Sequence, residues 1–339
     1  MTRPGLALLA LLILPAATLL PEVPVYRTFG RWFVACDNTR ACVARGFDEY
    51  TRAQLELTRQ AGVSPATLTL SAERRIVAGN VRLDGAPVAL PAPAWSVVDG
   101  ALTTKDPAAI AAFITAARDA RTLTLDRDPP NDELPPAVPL DGFTAALLLL
   151  DAVQGRPGTP TALIAARGSA APPPAPPLPR APRWVVPPAL TRVELQRLTQ
   201  QAVQLPSRPS DTCDAADPPQ VFALDAVDAL AIRPCFMAAY QGSSIVAILP
   251  RAGGRARPAT GARPGMPHPE PGRTEMVDPE FDPASGTLFS SSKGRGMADC
   301  GSSEAWVWSG GGFRLKSLNY LGQCGGTEPG DWPPLYRTR

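Results

Sequence analysis

The sequence predicts an α+β protein: two units of antiparallel sheet packed with a few helices and stapled by local disulfides. Three observations lead there. Short apolar–polar alternations recur between Asp-Gly, Asp-Asn and Pro-Ala-Ser-Gly turns, the pattern of hairpins with one buried face. Two stretches, 106–117 and 141–154, change to helical periodicity. Six cysteines fall as three pairs close in sequence and far from one another, so the expected framework joins Cys36 with Cys42, Cys213 with Cys235, and Cys300 with Cys324. A bridge of this kind contributes about 2–4 kcal/mol by restricting the unfolded chain. Zinc-type C-x-x-C spacing does not occur, and no metal or cofactor is expected.

Taken in order, residues 31–36 and 42–47 alternate around Asp37-Asn38-Thr39-Arg40-Ala41, which reads as a hairpin tip closed by a cystine. The functional alternative is an exposed recognition loop presenting Asp37, Asn38 and Arg40. Strand signals follow at 67–72 and at 76–83, the latter turning at Asp84-Gly85, and residues 95–98 and 101–104 flank Asp99-Gly100. Asp106 can then cap a helix with Pro107 in its first turn and Ile110, Phe113, Ile114 and Ala117 on one face. Residues 121–125 return as a strand. Asp141 is placed to cap a second helix through Gln154, whose leucine run 147–150 is broken by Asp151 and is too short to span a membrane. Residues 161–167 are a further helical candidate.

The proline-dense stretch 170–182 reads as a semi-rigid spacer dividing a unit at 24–169 from one at 183–339. Beyond it, 191–203 is helical, Pro218-Pro219 can open another helix with Val221, Leu224, Val227 and Leu230 on its apolar side, and 236–249 has strand character. Residues 251–273, rich in Gly, Pro and Arg, carry no apolar period and are expected to form a disordered excursion. Residues 275–281 and 287–292 make another hairpin. The last one pairs 304–308 with 313–320 around Ser309–Gly312, with Cys300 and Cys324 just outside. If Trp308 faces Phe313, regular pairing sets Cys300 opposite Leu321, three residues short of Cys324, so some register slack is required.

Composition narrows the class. One histidine and 33 Lys+Arg against 31 Asp+Glu give a net charge of +2, without the basic excess of a nucleic-acid binder. At the N-terminus, Arg3, an apolar core at 6–14 and the small residues Pro15-Ala16-Ala17 form a secretory signal over 1–23, with cleavage expected between Ala17 and Val23. Export makes the cysteines an oxidised set, and no transmembrane segment is expected in the mature chain.

Trp32 to Asn38 with Cys42, Gly294-Arg295-Gly296 with Asp299-Cys300-Gly301, Trp306-Val307-Trp308, Phe313-Arg314-Leu315, Cys324-Gly325 and Trp332-Pro333 with Arg337-Thr338 together resemble a family of exported bacterial proteins catalogued as domain of unknown function 1176. The resemblance implies a Gram-negative periplasmic location and transfers no catalytic residues. The chain departs from the pattern at Ala298, where glycine is expected, and at Gly325, where a basic residue is expected.

The chemical motifs are sparse. His268 lies between two prolines in the 251–273 stretch and suits no triad. Ser290 and Lys293 have S-x-x-K spacing, but at a strand end and without the companion S-D-N and K-T-G motifs of penicillin-recognising enzymes. Asp126, Asp128, Asp132 and Glu133 cluster without the glycine and glutamate of an EF-hand. Trp306 and Trp308 share one strand face, as core or as an exposed aromatic platform. With Asp37, Asn38, Arg40 and Arg295 they form the candidate recognition surface. The expectation is therefore a periplasmic protein that binds an envelope protein or glycan without enzymatic activity. Its rivals are an inhibitor of an envelope hydrolase such as lysozyme and a serine hydrolase using Ser290 and Lys293.

Overall fold

The computed structural model describes residues 20–62, 65–126, 134–206, 213, 217–267, 274–325 and 329–339. The first half contributes β1 (Val25–Phe29), β2 (Trp32–Cys36), β3 (Cys42–Phe47), β4 (Gln54–Arg59), β5 (Ala66–Ser71), β6 (Arg82–Leu83), β7 (Ala86–Pro87), β8 (Ser96–Val98), β9 (Ala101–Thr104), α1 (Pro107–Ala117), β10 (Thr122–Thr124), β11 (Ala137–Pro139) and α2 (Phe143–Val153). The second half contributes α3 (Arg192–Val203), β12 (Gln220–Ala223), β13 (Asp228–Met237), β14 (Gly242–Pro250), β15 (Arg257–Pro258), β16 (Glu275–Val277), β17 (Glu280–Asp282), β18 (Thr287–Lys293), β19 (Gly301–Trp308), β20 (Phe313–Leu321) and β21 (Pro334–Tyr336). The strands pair antiparallel into four sheets, ordered β1-β2-β3-β4-β5-β9-β8, β11-β10-β6-β7, β12-β13-β14-β15 with β16 also on β14, and β17-β18-β19-β20-β21. With three helices among the described residues, the chain is sheet-rich and fits the α+β label loosely. None of these helices is long and apolar enough to cross a membrane.

The pattern of each element explains its place. β4 and β5 alternate buried and half-exposed residues, so Leu55, Leu57, Leu68 and Leu70 fill one face of the first sheet. That face is covered by α1 and α2. Asp106 caps α1 by accepting from the Ala108 and Ala109 amides, and Ile110, Phe113, Ile114 and Ala117 are buried as their spacing requires. α2 starts one residue later than expected: its cap position is Gly142 at φ +96°, not Asp141. A Cβ at Gly142 would lie 2.0 Å from the Phe29 carbonyl oxygen, so only glycine fits. α3 opens on a capping box between Thr191 and Glu194 and buries Leu198 and Ala202 against the third sheet.

β2 and β3 are buried along their entire length, on both faces. Trp32, Val34 and Ala44 point toward the helices, whereas Phe33, Ala35, Val43 and Phe47 pack on Leu318, Leu321 and Leu335 from the last sheet and on Trp332 just before β21. The two halves of the chain thus share a core. Residues 171–191 contain no helix or strand, yet Ala181 and Arg339 tie this segment to the C-terminus: the Ala181 amide donates to the Arg339 carbonyl, and the Arg339 amide to that of Pro179, each at 2.9 Å.

Four further expectations are corrected. The stretch from Pro218 to Leu230 is not a helix but the β12–β13 hairpin. Asp225 breaks any helix there: its carboxylate accepts from the Val227 and Asp228 amides at 2.7 and 2.8 Å, closing a turn where the apolar spacing suggested continuity. Residues 76–83 form a 3₁₀ turn at Ala78–Asn80 and the two-residue β6 in place of one strand. Residues 161–167 form no helix, because the Leu163 and Ile164 amides point at the Asp151 carboxylate instead of at a preceding turn. Within 251–267, Arg257–Pro258 pairs with β14, and Ala259, Thr260 and Arg263 are buried, so side chains that lack an apolar period are still packed. Residues 268–273 lie outside the described residues.

The three disulfides close as Cys36–Cys42, Cys213–Cys235 and Cys300–Cys324. In the final hairpin Trp308 does face Phe313, and a bulge between Ala305 and Trp306 shifts the register so that Gly301, not Cys300, opposes Leu321. That extra residue on β20 supplies the slack the bridge needs.

Candidate functional site

The residues singled out from the sequence do not assemble into a recognition face. Trp306 and Trp308 are 2 % and 3 % exposed and belong to one apolar cluster with Phe281 and Phe313. Trp308 Nε1 donates to Asp225 at 3.0 Å, and the ring meets Phe313 edge-on at 5.2 Å. Both are core, which removes the aromatic platform. Asp37 is fully buried. Its carboxylate accepts from the Thr39 amide and hydroxyl and pairs with Arg337. Asn38 accepts from the Arg337 amide at 2.9 Å and donates to its carbonyl at 3.0 Å, while Arg40 Nη1 donates to the carbonyls of Pro21 and Val153. The 37–41 tip is therefore a clasp on the last strand, not a free loop.

Arg295 makes a two-pronged ion pair with the buried Asp299, Nε to Oδ1 at 2.8 Å and Nη2 to Oδ2 at 2.5 Å, closing the 294–300 loop on itself. Asp299 and the sulfurs of Cys300 and Cys324 lie within 4.8 Å, but both sulfurs are consumed by the disulfide. Ser290 and Lys293, three apart on β18, point to opposite faces. The Ser290 hydroxyl donates to the Val277 carbonyl and the Lys293 ammonium to that of Tyr240, so they form no nucleophile–base pair. Of the acidic loop, Asp126 accepts from Asn80 Nδ2 at 3.0 Å. Asp128, Asp132, Glu133 and His268 lie outside the described residues.

A different site stands out in the first half. Between α1, the end of β4 and the 156–166 segment lies a cavity of about 320 Å³, walled by apolar groups that include Pro107, Ile110, Ile114, Pro160 and Leu163. Its polar lining includes two guanidiniums, Arg59 and Arg156, both essentially inaccessible. Arg59 makes a hydrogen bond from each nitrogen: Nε donates to Gln154 Oε1 at 2.7 Å, Nη1 to the Thr161 carbonyl at 3.1 Å, and Nη2 to Asp151 Oδ1 at 2.6 Å. Arg156 has only neutral acceptors, Gln154 Oε1 at 3.1 Å and the Gly62 carbonyl at 2.5 Å. Gln154 is itself locked, since its Nε2 donates to the carbonyls of Arg40 and Arg59. Burial, reinforced by the neighbouring charge of Arg59, brings the Arg156 guanidinium down to about 10, and burial also lowers Arg59.

Sequence reasoning missed this constellation because its parts come from a strand end, a helix face and a loop. One trace was visible: Asp151 interrupts an apolar helical run, and a carboxylate in that setting needs a buried cation.

The model of the family described as protein of unknown function DUF1176 matches residues 26–339. The chain belongs to this family. It is also similar to the uncharacterized protein YpfG of Escherichia coli (strain K12), with 31 % identity over 342 residues, covering 93 % of this chain and 94 % of that protein. No solved structure matches.

The two positions at which the resemblance led to a different residue, 298 and 325, each have a structural account. Ala298 sits at φ +58°, the left-handed region that glycine occupies freely and alanine does not. Ala298→Gly is therefore expected to raise stability by about 1 kcal/mol, read as an upward shift of the urea midpoint; a lower midpoint would contradict the assigned strain. Gly325 is buried, and a Cβ there would lie 1.9 Å from Phe47 Cε2, so Phe47 occupies the space a side chain at 325 would need.

Proposed function

We propose that this chain is an exported, non-enzymatic binding protein of the periplasm and that the cavity beneath α1 is its binding site. The observation that carries this reading is the cavity itself: apolar walls around fixed guanidiniums, at the lower end of the ~300–1,000 Å³ range of small-molecule sites. Among the described residues that line it there is neither a nucleophile–base pair nor a pair of carboxylates, which favours binding over turnover. The export half of the reading rests on the apolar stretch at 6–14 and on three local disulfides, which persist in oxidising compartments.

The inhibitor reading rests on two loops beside disulfides, 36–42 and 293–300, and draws less support because the 37–41 tip is folded inward onto Arg337 and the second loop is pinned on itself by Arg295 and Asp299. Native mass spectrometry of the mature protein, incubated with a small-molecule extract of periplasm, tests the proposal. Ala111 is exposed on α1 and lines the cavity. The expected result is a small-molecule mass on the wild type that is absent from Ala111→Trp, a variant that fills the cavity while retaining the far-UV circular dichroism spectrum. A wild type that carries no added mass, or an adduct unaffected by Ala111→Trp, would overturn it.

A further inference from the structure

Resting on the reading that the α1 cavity binds a small molecule, we propose that its ligand is a monoanionic amphiphile, a single negative head on a hydrocarbon body, with the head on Arg156. The charge inventory around the cavity leads there. Two guanidiniums and one carboxylate, Asp151, meet at this site. Both oxygens of Asp151 are committed, Oδ1 to Arg59 and Oδ2 to the Leu163 and Ile164 amides. Arg59 has a hydrogen bond on each of its three nitrogens. Arg156 is 1 % exposed and hydrogen-bonds two neutral oxygens, and its Nη1 makes no hydrogen bond among the described residues. One carboxylate is thus shared by two guanidiniums, and the cluster keeps one net positive charge.

Such a charge is costly to hold in an apolar setting, and an incoming anion relieves that cost. Gln154 cannot substitute, since its amide is fixed by the Arg40 and Arg59 carbonyls and shows Arg156 only its oxygen. One uncompensated cation selects one negative charge, whereas a cationic ligand would face two guanidiniums. Beyond the head, Ile110, Ile114, Leu163 and the rings of Pro107 and Pro160 offer no hydrogen-bonding side chain, and the Thr161 hydroxyl is engaged by that of Thr159 at 3.0 Å, so the body of the ligand is expected to be mainly hydrocarbon. Its size, about 320 Å³, suits a chain of medium length.

Isothermal titration of the disulfide-intact protein with four decyl probes, each below its micellar concentration, tests this. Decanoate and decyl sulfate carry the same charge on different heads, decanol is neutral, and decyltrimethylammonium is cationic. Decanoate or decyl sulfate should bind at least tenfold more tightly than decanol, decyltrimethylammonium should not bind, and whichever anion binds better identifies the head as carboxylate or sulfate-like. Arg156→Met should abolish the anion preference while keeping or raising the unfolding temperature, since it removes an uncompensated buried charge. Ala111→Trp should abolish binding of every probe. Equal binding of decanol, or an unchanged anion preference in Arg156→Met, overturns the ligand class while leaving the binding-site reading intact. No binding by any probe, with a periplasmic mass still lost in Ala111→Trp, also overturns the class alone. Absence of both probe binding and periplasmic mass overturns the two together.

Discussion

Asp151→Ala is expected to lower the unfolding free energy by about 3–5 kcal/mol, the range for breaking one side of a buried ion pair. Asp151 is 2 % exposed on α2, and its removal strands Arg59 and Arg156, two like charges held close together away from water. It also orphans the Leu163 and Ile164 amides, which the carboxylate holds at 2.7 and 3.1 Å. The loss should appear as a shift of the urea midpoint, together with faster amide exchange across 156–166. Asp151→Leu combined with Arg59→Leu should be far less damaging than Asp151→Ala alone, because removing both partners leaves only Arg156 charged. A loss under about 1 kcal/mol for Asp151→Ala would mean that the network is hydrated, contrary to its burial.

What the sequence disclosed was local. The alternation of 54–59 and 66–71, the Asp99-Gly100 turn, the Asp106-Pro107 cap and the three cysteine pairs are each specified by neighbouring residues, and each forms as its chemistry demands. Where a reading failed, a long-range or side-chain contact decided the outcome. The Pro218–Leu230 stretch had helical spacing, but the Asp225 carboxylate turned it into a hairpin. Residues 161–167 looked helical until Asp151 claimed their amides. Nothing near Phe33 or Phe47 indicates that the second face of β2 and β3 is covered by residues some three hundred positions later, as it is by Leu318 and Leu335. The same limit hid the cavity, whose walls at 107–114 and 156–166 meet only after α1 and α2 have packed on the sheet. For Trp306 and Trp308 the pattern favours core but leaves an exposed platform open, because period two fixes which residues share a face, not what covers it.

That shared face gives the second large expectation. Gly325 touches Phe47, the last residue of β3, across the seam between the two halves, and a Cβ at 325 would fall 1.9 Å from Cε2 and 2.2 Å from Cδ2 of the ring. Gly325→Arg, which introduces the basic residue that the resemblance implies here, should cost about 2–3 kcal/mol through overpacking. Phe47→Ala alone should cost about 3–5 kcal/mol, because Phe47 is 5 % exposed and its removal opens a cavity beside Trp332 and Leu321. In the double variant the arginine stem can occupy the vacated space, so the combined cost should fall short of the sum by at least 1 kcal/mol. A double-mutant cycle from urea unfolding at fixed pH measures that coupling; additivity within about 0.3–0.5 kcal/mol would show that the two positions are not competing for one space. Strong coupling between positions 47 and 325 would mean that β3 and the final disulfide hairpin stand or fall together, and that loss of the seam would expose Phe33, Ala35 and Val43 to water.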